Sequence, residues 1–400
     1  MKILVINTGS SSIKYQLFEM DDKRVLASGV VEKIGESGSR LRHEAAGFGP
    51  VTVRREICDH RAGLDVIVKY LTDPARGVIQ DVKEIAGVGH RVVHGGEKFS
   101  APVLIDAAVI QAITDHIPLA PLHNPANLTG IEVARALFPA TPQVAVFDTA
   151  FHQTMPPVAF TYPVPHEWLE RHSVRRYGFH GTSHRFVARQ ALAQTGLPAD
   201  AHALVTAHLG NGCSCAAVLD GRSVDTTMGL TPLEGVMMGT RSGSVDPAIV
   251  GHMGAALGRS AAEILDVLNK KSGLLGVSGL SNDMRTIEAE AAKGNERAHL
   301  AFDLFCYLLA KSIAGLVVPL GRLDALVFTG GIGENSVSVR ARTVQHLGFL
   351  GLTIDPAANA THGRGQGGRI TQEVRPQALV VPTNEELMIA MDTADIARRV

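Results

Sequence analysis

Two short stretches, one in each half of the chain, share a shape: Leu4-Val-Ile-Asn-Thr-Gly-Ser-Ser-Ser-Ile-Lys14 and Ala207-His-Leu-Gly-Asn-Gly-Cys-Ser-Cys-Ala-Ala217. Each is an apolar strand that runs into a turn of Asn, Gly and small polar residues and resumes as a strand. Such a turn presents bare backbone N–H groups and hydroxyls to an anion, because glycine tolerates the dihedrals and lets the backbone approach closely. Two of them imply a duplicated α/β fold that holds a phosphate chain between its halves.

The 400 residues give room for about two to three domains. Strands are expected at Lys2–Ile6, Ser11–Glu19, Arg24–Val31, Leu41–Ala45 and Val51–Ile57, an antiparallel opening to a mixed sheet, and Ala203–Ala207, Cys213–Leu219 and Arg222–Asp225 repeat that opening. Helical patterns run over Gly63–Leu71, Ala107–His116, Pro125–Leu137, Ser183–Gln194, Ser260–Lys270, Asp283–Lys293, Arg297–Val318 and Ser336–His346. The proline-rich Met155–Pro165 marks the boundary, giving an N-terminal domain over residues 1–150, rejoined by a C-terminal helix at 385–400, and a C-terminal nucleotide-binding domain over 151–384. The glycine-rich Thr361–Arg369 contains a formal G-x-G-x-x-G, but no apolar strand leads directly into it, and it reads as a mobile surface loop.

Lys plus Arg number 38 against 39 Asp plus Glu, so no net field draws the chain to nucleic acid or a membrane surface. Four cysteines are too few for a disulfide scaffold, and Cys213-Ser-Cys215 is not a C-x-x-C site. The apolar run after Lys2 ends at Asn7, too short for a signal peptide, and Lys311 interrupts the most apolar helix. A soluble, cytoplasmic protein with a small-molecule partner is expected.

A Walker A motif is absent, so ATP would be held differently. A third glycine-rich element, Ala325-Leu-Val-Phe-Thr-Gly-Gly-Ile-Gly-Glu-Asn-Ser336, is a buried strand followed by a helix N-terminus, where a nucleoside can lie. Arg91, Arg241 and His180 sit in glycine-flanked loops, where cations able to meet phosphate oxygens are expected. His180 and His184, like His90 and His94, have an i, i+4 spacing, but without the interior Glu a zinc site is not expected.

The two hairpins and the Gly-Gly turn resemble the phosphate and adenosine motifs of the actin-like ATPase superfamily, which includes sugar kinases and ATP-dependent chaperones. Within it, Asn7–Lys14, Gly89-His-Arg-Val-Val-His-Gly-Gly96, Pro121-Leu-His-Asn-Pro125, Phe147-Asp-Thr-Ala-Phe-His152, Tyr177-Gly-Phe-His-Gly-Thr-Ser-His184, Met228–Gly243 and Thr383-Asn-Glu-Glu386 resemble the acetate kinase (acetokinase) family over nearly the whole chain. The resemblance implies a duplicated actin-like ATPase (ribonuclease H-like) fold of two domains with mixed sheets and a central cleft. It further implies reversible phosphoryl transfer from ATP to acetate, giving ADP and acetyl phosphate, by a homodimer that uses Mg2+, with Mn2+ able to substitute.

Site roles follow from the same resemblance. Arg91 handles the substrate carboxylate and the transferring phosphoryl group, and His180 and Arg241 stabilise the transition state. Asn7 and Glu385 match the metal positions, and Asp148 the active-site acid. A carboxylate acceptor is already ionised at neutral pH and needs no general base, so Asp148 is assigned to orienting metal-bound water. Val93, Leu122, Phe179 and Pro232 match the small pocket for the acetate methyl, and His123 is either a supporting residue there or a histidine satisfied by backbone. ATP contacts fall to Ser10, Ser12 and Lys14, to His208, Leu209, Gly210, Asn211 and Gly212, to Asp283, Met284 and Arg285, and to Gly331, Ile332, Gly333, Glu334 and Asn335. Met284 stands where the family often has an aromatic.

Three alternatives stay open. One methylene in an apolar pocket is worth only ~1–3 kcal/mol, so propionate could replace acetate. A sugar or polyol kinase would want an aspartate where the chain has Asn7, and a non-catalytic ATP-dependent clamp would usually carry an extra partner-binding segment.

Overall fold

In the computed structural model the described residues are 1–363, 365–372 and 375–400. The chain divides into two compact units, Met1–Phe151 with Asn384–Val400, and His152–Thr383.

The first unit is built on β1 (Lys2–Thr8), β2 (Ser12–Glu19), β3 (Arg24–Glu32), β4 (Arg40–Ala45), β5 (Val51–Arg54), β6 (Ile85–Val92), β7 (Val103–Leu104) and β8 (Gln143–Phe147). They form one sheet in the order β5-β4-β3-β2-β1-β6-β8-β7. β1 pairs antiparallel with β2 and parallel with β6, and β6 pairs parallel with β8. All five residues of β8 are buried, the continuous apolar run of a strand covered on both faces.

The second unit repeats the plan with β9 (Ala203–Leu209), β10 (Cys213–Leu219), β11 (Arg222–Thr226), β12 (Ala325–Thr329), β13 (Gly368–Arg369) and β14 (Gln377–Val380), ordered β11-β10-β9-β12-β14-β13. Again the first strand is antiparallel to the second and parallel to the crossover strands, β9 to β12 and β12 to β14. The strand orders β3-β2-β1-β6-β8 and β11-β10-β9-β12-β14 are equivalent, so the duplication legible in the two turns extends across both sheets.

Close helix-to-sheet packing depends on missing side chains. The C-terminal helix Glu385–Ala397 lies on β1, β6 and β8, with Ile389, Ala390 and Ala394 buried against Ile3, Val5, Val144 and Val146. A Cβ on Gly89 of β6 would overlap Thr393 Oγ1 and come within 2.7 Å of Ile389 Cγ2. Helix Asn124–Leu137 comes equally close to β1, where a Cβ on Gly130 would overlap Thr8 Oγ1.

Helix Glu296–Val317 is long and apolar enough to cross a membrane. Its buried residues, among them Ala298, Ala301, Phe305, Leu309 and Ile313, recur at helical spacing and pack on neighbouring helices and on β9 and β10, so it is a core helix of the second unit. Thr361–Arg369 departs from the expected loop: Gly368 and Arg369 form edge strand β13, antiparallel to β14, and Gly363 bridges Gln366. Its few side chains gave no alternating pattern, and pairing with the strong strand β14 decides it. Arg364 lies outside the described residues.

Candidate active site

In the first unit the β1–β2 turn is closed by Gly9 N–H donating to Ser12 O at 2.8 Å, with Asn7 opposite Lys14 in the register. Ser10 and Lys14 are exposed and Ser12 is half-buried. Asn7 and Lys14 line a cavity of about 280 Å3 together with Tyr15, Gly29 and Glu386.

Beside that turn, Arg91 lies within β6, one residue before its end and not in the loop expected for it, because β1 and β8 extend the pairing on either side, and Asp148 directly follows β8. Arg91 Nε and Nη2 donate to the two carboxylate oxygens of Asp148 at 3.1 and 2.6 Å, a bidentate pair, and Nη1 reaches Asn7 Oδ1 at 3.5 Å. The Asp148 side chain is 2% exposed. The Asp148 carboxylate raises the Arg91 pKa against the effect of burial, and Glu385 adds to it. Glu385 opens the C-terminal helix, and burial pushes its carboxyl up to about 7, opposed by Arg91 and reinforced by Asp148 and Glu386. Glu385 Oε1 is buried, with no hydrogen-bond partner among the described residues.

Two asparagines that sequence reasoning did not single out hold these strand ends together. Asn127 Nδ2 donates to Thr8 O at 2.9 Å and its Oδ1 accepts from Val93 N–H at 3.1 Å, linking the first turn to the segment after Arg91. Asn124 bonds both backbone groups of His94. Only the Asn-Pro in the 121–125 string hinted at them. Val93 is buried, whereas Leu122 is 72% exposed and His123 is the exposed N-cap of helix Asn124–Leu137, with no side-chain cap bond.

In the second unit the β9–β10 turn lies close to Arg241 and His180. A Cβ on Gly212 would lie 3.0 Å from Arg241 Nη2 and 3.4 Å from His180 Nε2, tighter than ordinary contact, so the glycine lets both side chains come close to the turn. Arg241 Nη1 donates to Pro232 O at 2.6 Å, which fixes the guanidinium, and burial lowers its pKa. His180 adopts the left-handed region, φ 56° and ψ 24°, immediately before helix Gly181–Thr195. A non-glycine residue held there by its surroundings marks a site where conformation matters more than local cost. Its Nδ1 is 2.8 Å from Ser214 Oγ, and its ring stacks on His208 with centroids 4.4 Å apart. Phe179 is buried and Pro232 half-buried.

His184 is buried between Thr206 and Ser214, and His90 lies on a strand, where its Nε2 meets Gln143 Oε1 at 2.8 Å.

A cavity of about 740 Å3 brings together Gly210, Asn211, Asp283, Met284, Arg285, Gly331, Ile332 and Asn335. Besides Ser10, Ser12 and Lys14 of the first turn and Gly212 beside Arg241, four other residues assigned to ATP do not line it. Leu209 has its side chain in the core. His208 Nδ1 bonds Ser183 Oγ. Gly333 accepts Arg340 Nη1 at its carbonyl. Glu334 turns its carboxylate back to Gly330 N–H and Thr383 N–H, both at 3.1 Å, and so clamps the Gly-Gly turn to the end of β14 instead of facing the cavity. Gly330, φ 75°, allows the turn to lie against β9, since a Cβ would sit 2.8 Å from Leu209 O. Sequence reasoning missed Asn282, which donates to Asn211 Oδ1, and Glu288, which lines the cavity and accepts from Ser336 and Ser338.

It also missed Arg340, a fully buried cation. Nε bonds Asn359 Oδ1 at 2.7 Å, while Nη1 and Nη2 bond the carbonyls of Gly333, Glu334, Asn359 and His362 at 2.7–3.0 Å. A guanidinium on C-terminal helix carbonyls is favourably placed in the helix dipole. Burial still lowers its pKa to about 10.

The acetokinase family pattern matches residues 2–391. An acetate kinase of Natranaerobius thermophilus is 52% identical over 392 residues, 98% of either chain, and one of Thermotoga maritima is 51% identical over 402 residues, the full length of both. Among solved structures, Porphyromonas gingivalis acetate kinase superposes with a TM-score of 0.94 at 46% identity over 99% of both chains. A propionate kinase from Francisella tularensis gives 0.92 at 42% identity over 98% of this chain and 99% of its own. With the paired turns, the duplicated sheets and a match along nearly its whole length, the chain belongs to the acetokinase family of phosphotransferases, in the two-domain actin-like ATPase fold.

Proposed function

We propose that this protein transfers the γ-phosphoryl group of ATP reversibly to acetate, giving ADP and acetyl phosphate by direct in-line displacement. The observation that carries the reading is the bidentate Arg91–Asp148 pair. Both oxygens of the buried carboxylate at the end of β8 accept from a cation, which suits an acceptor that arrives already ionised and needs no base. Bringing that anion against an anionic phosphoryl group demands cations aimed at the reacting oxygens. Arg91 is assigned to the acceptor carboxylate and the transferring group, and Arg241 and His180 to the charge that spreads over the equatorial oxygens.

The first turn, with Ser10, Ser12 and Lys14, and the second, through Asn211 and Gly212, are assigned to the phosphates. The 740 Å3 cavity is assigned to adenosine, where Met284 offers a polarisable contact to the purine. Val93, Leu122, Phe179 and Pro232 are assigned to the methyl group.

Mg2+ fits the residues present. Glu385 Oε1 is a buried oxygen without a partner among the described residues, and Asn7 adds a second oxygen donor. Among the described residues no three His, Cys, Asp or Glu side chains converge as a metal cage. Few protein ligands suit an ion that keeps waters and phosphate oxygens, and Mn2+ should substitute. When bound, the ion supplies charge neutralisation at the β and γ phosphates. Glu385→Gln is expected to raise the Mg2+ concentration for half-maximal activity about tenfold or more, measured by metal titration at saturating ATP.

A homodimer is supported by helix Ala248–Leu257, which is apolar yet buries no residue and exposes Leu257, and by exposed Val245 before it and Leu265 on the next helix. Sedimentation of the wild type as a dimer and of Leu257→Asp as a monomer is the expected result. Two monomeric profiles would remove the assignment.

The activity test measures ADP release with and without acetate and traps acetyl phosphate with hydroxylamine. ATP turnover indifferent to acetate would sink the reading. Propionate as the physiological acceptor is a second reading, supported by likeness to a propionate kinase. Comparing kcat/KM for acetate, propionate and butyrate decides between the two.

A further inference from the structure

Around the second turn the protein buries a relay of alternating imidazoles and hydroxyls. Ser214 Oγ lies 2.8 Å from both His180 Nδ1 and His184 Nε2. His184 Nδ1 in turn lies 2.7 Å from Thr206 Oγ1, and Thr206 directs its hydroxyl towards Ala216 O at 3.5 Å. Ser214, His184 and Thr206 are each fully buried. Burial holds His184 well below the ordinary histidine pKa, with His152 and His208 adding to the effect, so it stays neutral and must donate on one nitrogen and accept on the other.

That constraint gives the relay a direction. A carbonyl can only accept, so Thr206 donates to Ala216 O and accepts from His184 Nδ1–H. The other nitrogen, His184 Nε2, must then accept, and Ser214 donates to it. The remaining Ser214 lone pair accepts from His180 Nδ1–H. His180 Nε2, the atom beside Gly212 and near Arg241, is left with a lone pair when the ring is neutral and carries a proton only when the ring is charged.

We propose that Ser214 and Thr206 are positioning residues for the transfer: through His184 they fix the tautomer of His180, so that its Nε2 can donate to the phosphoryl group only as an imidazolium. A neutral ring of the opposite tautomer would donate one hydrogen bond without charge. The relay excludes that weaker form and reserves the contact for a full positive charge. It also explains how the chain holds His180 in left-handed backbone, since the ring is tied at Nδ1 to β10. Among the titratable or charged groups around His180 are His184 on its own helix, reached through Ser214, His208 of β9 and Arg241 beside Gly212.

The proposal rests on His180 contacting the transferring group, and the test separates the two. Imidazole nitrogen NMR of the full-length protein, with His180 assigned by its absence in His180→Gln, reads the tautomer without reference to activity. In the wild type at alkaline pH the neutral ring is expected to carry its proton on Nδ1. In the isosteric Thr206→Val it should move largely to Nε2. Ser214→Ala is expected to lower kcat about tenfold at pH 6.5 with KM values unchanged, and its kcat should fall less steeply at alkaline pH than the wild type's. A wild-type ring protonated on Nε2, or a tautomer indifferent to Thr206→Val, would overturn the relay. An unchanged kcat in His180→Gln would instead overturn the contact and leave the tautomer result standing.

Discussion

At the scale of residues, several buried groups of this chain are held in one protonation state by their surroundings. Burial lowers His90 to about 4 despite its bond to Gln143, His152 to about 4 despite its bond to Phe179 O, and His94 to about 3 with His116 adding. These folded-state values lie below the unfolded value near ~6.5, so the unfolded chain takes up protons first as the pH falls. The stability they contribute is therefore complete above ~6.5 and is lost progressively down to about 4 for His90 and His152 and about 3 for His94. At pH 5 each should cost about 2 kcal/mol, read as a fall in the urea midpoint between pH 7 and pH 5. A midpoint constant across that range would contradict the burial argument. Arg340 makes the opposite kind of demand, because its cation is buried against the carbonyls of Gly333, Glu334, Asn359 and His362. Arg340→Met is expected to destabilise by roughly 3 kcal/mol or more, from the acceptors it orphans, and to raise KM for ATP. Lysine should not rescue it, since a point charge cannot serve five acceptors in a planar fork.

At the scale of elements, missing side chains position the site as much as present ones do. The C-terminal helix that begins at Glu385 seats on β6 only because Gly89 has no Cβ to meet Thr393 and Ile389. Gly89→Ala should displace that helix, costing about 1–3 kcal/mol by overpacking and raising the Mg2+ requirement along with it. Adding Thr393→Ala should restore part of both. Thermal melts and metal titrations of the single and double variants measure the coupling, and strict additivity would mean that helix and sheet do not meet there.

At the scale of the whole molecule, the residues assigned to adenosine belong to the second unit, and the Arg91–Asp148 pair to the first. Nucleotide binding and acceptor chemistry should therefore be separable by mutation. At ADP concentrations a hundredfold above Kd the protein should gain about 2.7 kcal/mol, with hydrogen-exchange protection at 210–212, 282–288 and 330–336. Arg91→Ala should keep that protection while losing about a hundredfold or more in kcat. Loss of ADP protection in this variant would show the separation to be wrong.

The sequence by itself determined what local chemistry can encode. Apolar strands broken by turns of Asn and Gly specified the hairpins, hydrophobic period placed most of the expected helices to within a residue or two although His60–Leu71 starts three residues early and Ala248–Leu257 was not foreseen, and glycine-flanked Arg91 and Arg241 marked cations with room to act. Only the tertiary structure decided which atoms those residues spend and on what. Arg91 meets Asp148, Glu334 turns away from the cavity that its neighbours line, and residues 368–369 become an edge strand because β14 is there to pair with. Asn127 and Ser214 stayed invisible because their partners are far along the chain, and Arg340 because only the packed helix ends bring its nearer partners together. The work of a buried polar group is defined by what it faces, and that is fixed only when the strands close into a sheet and the helices settle on it.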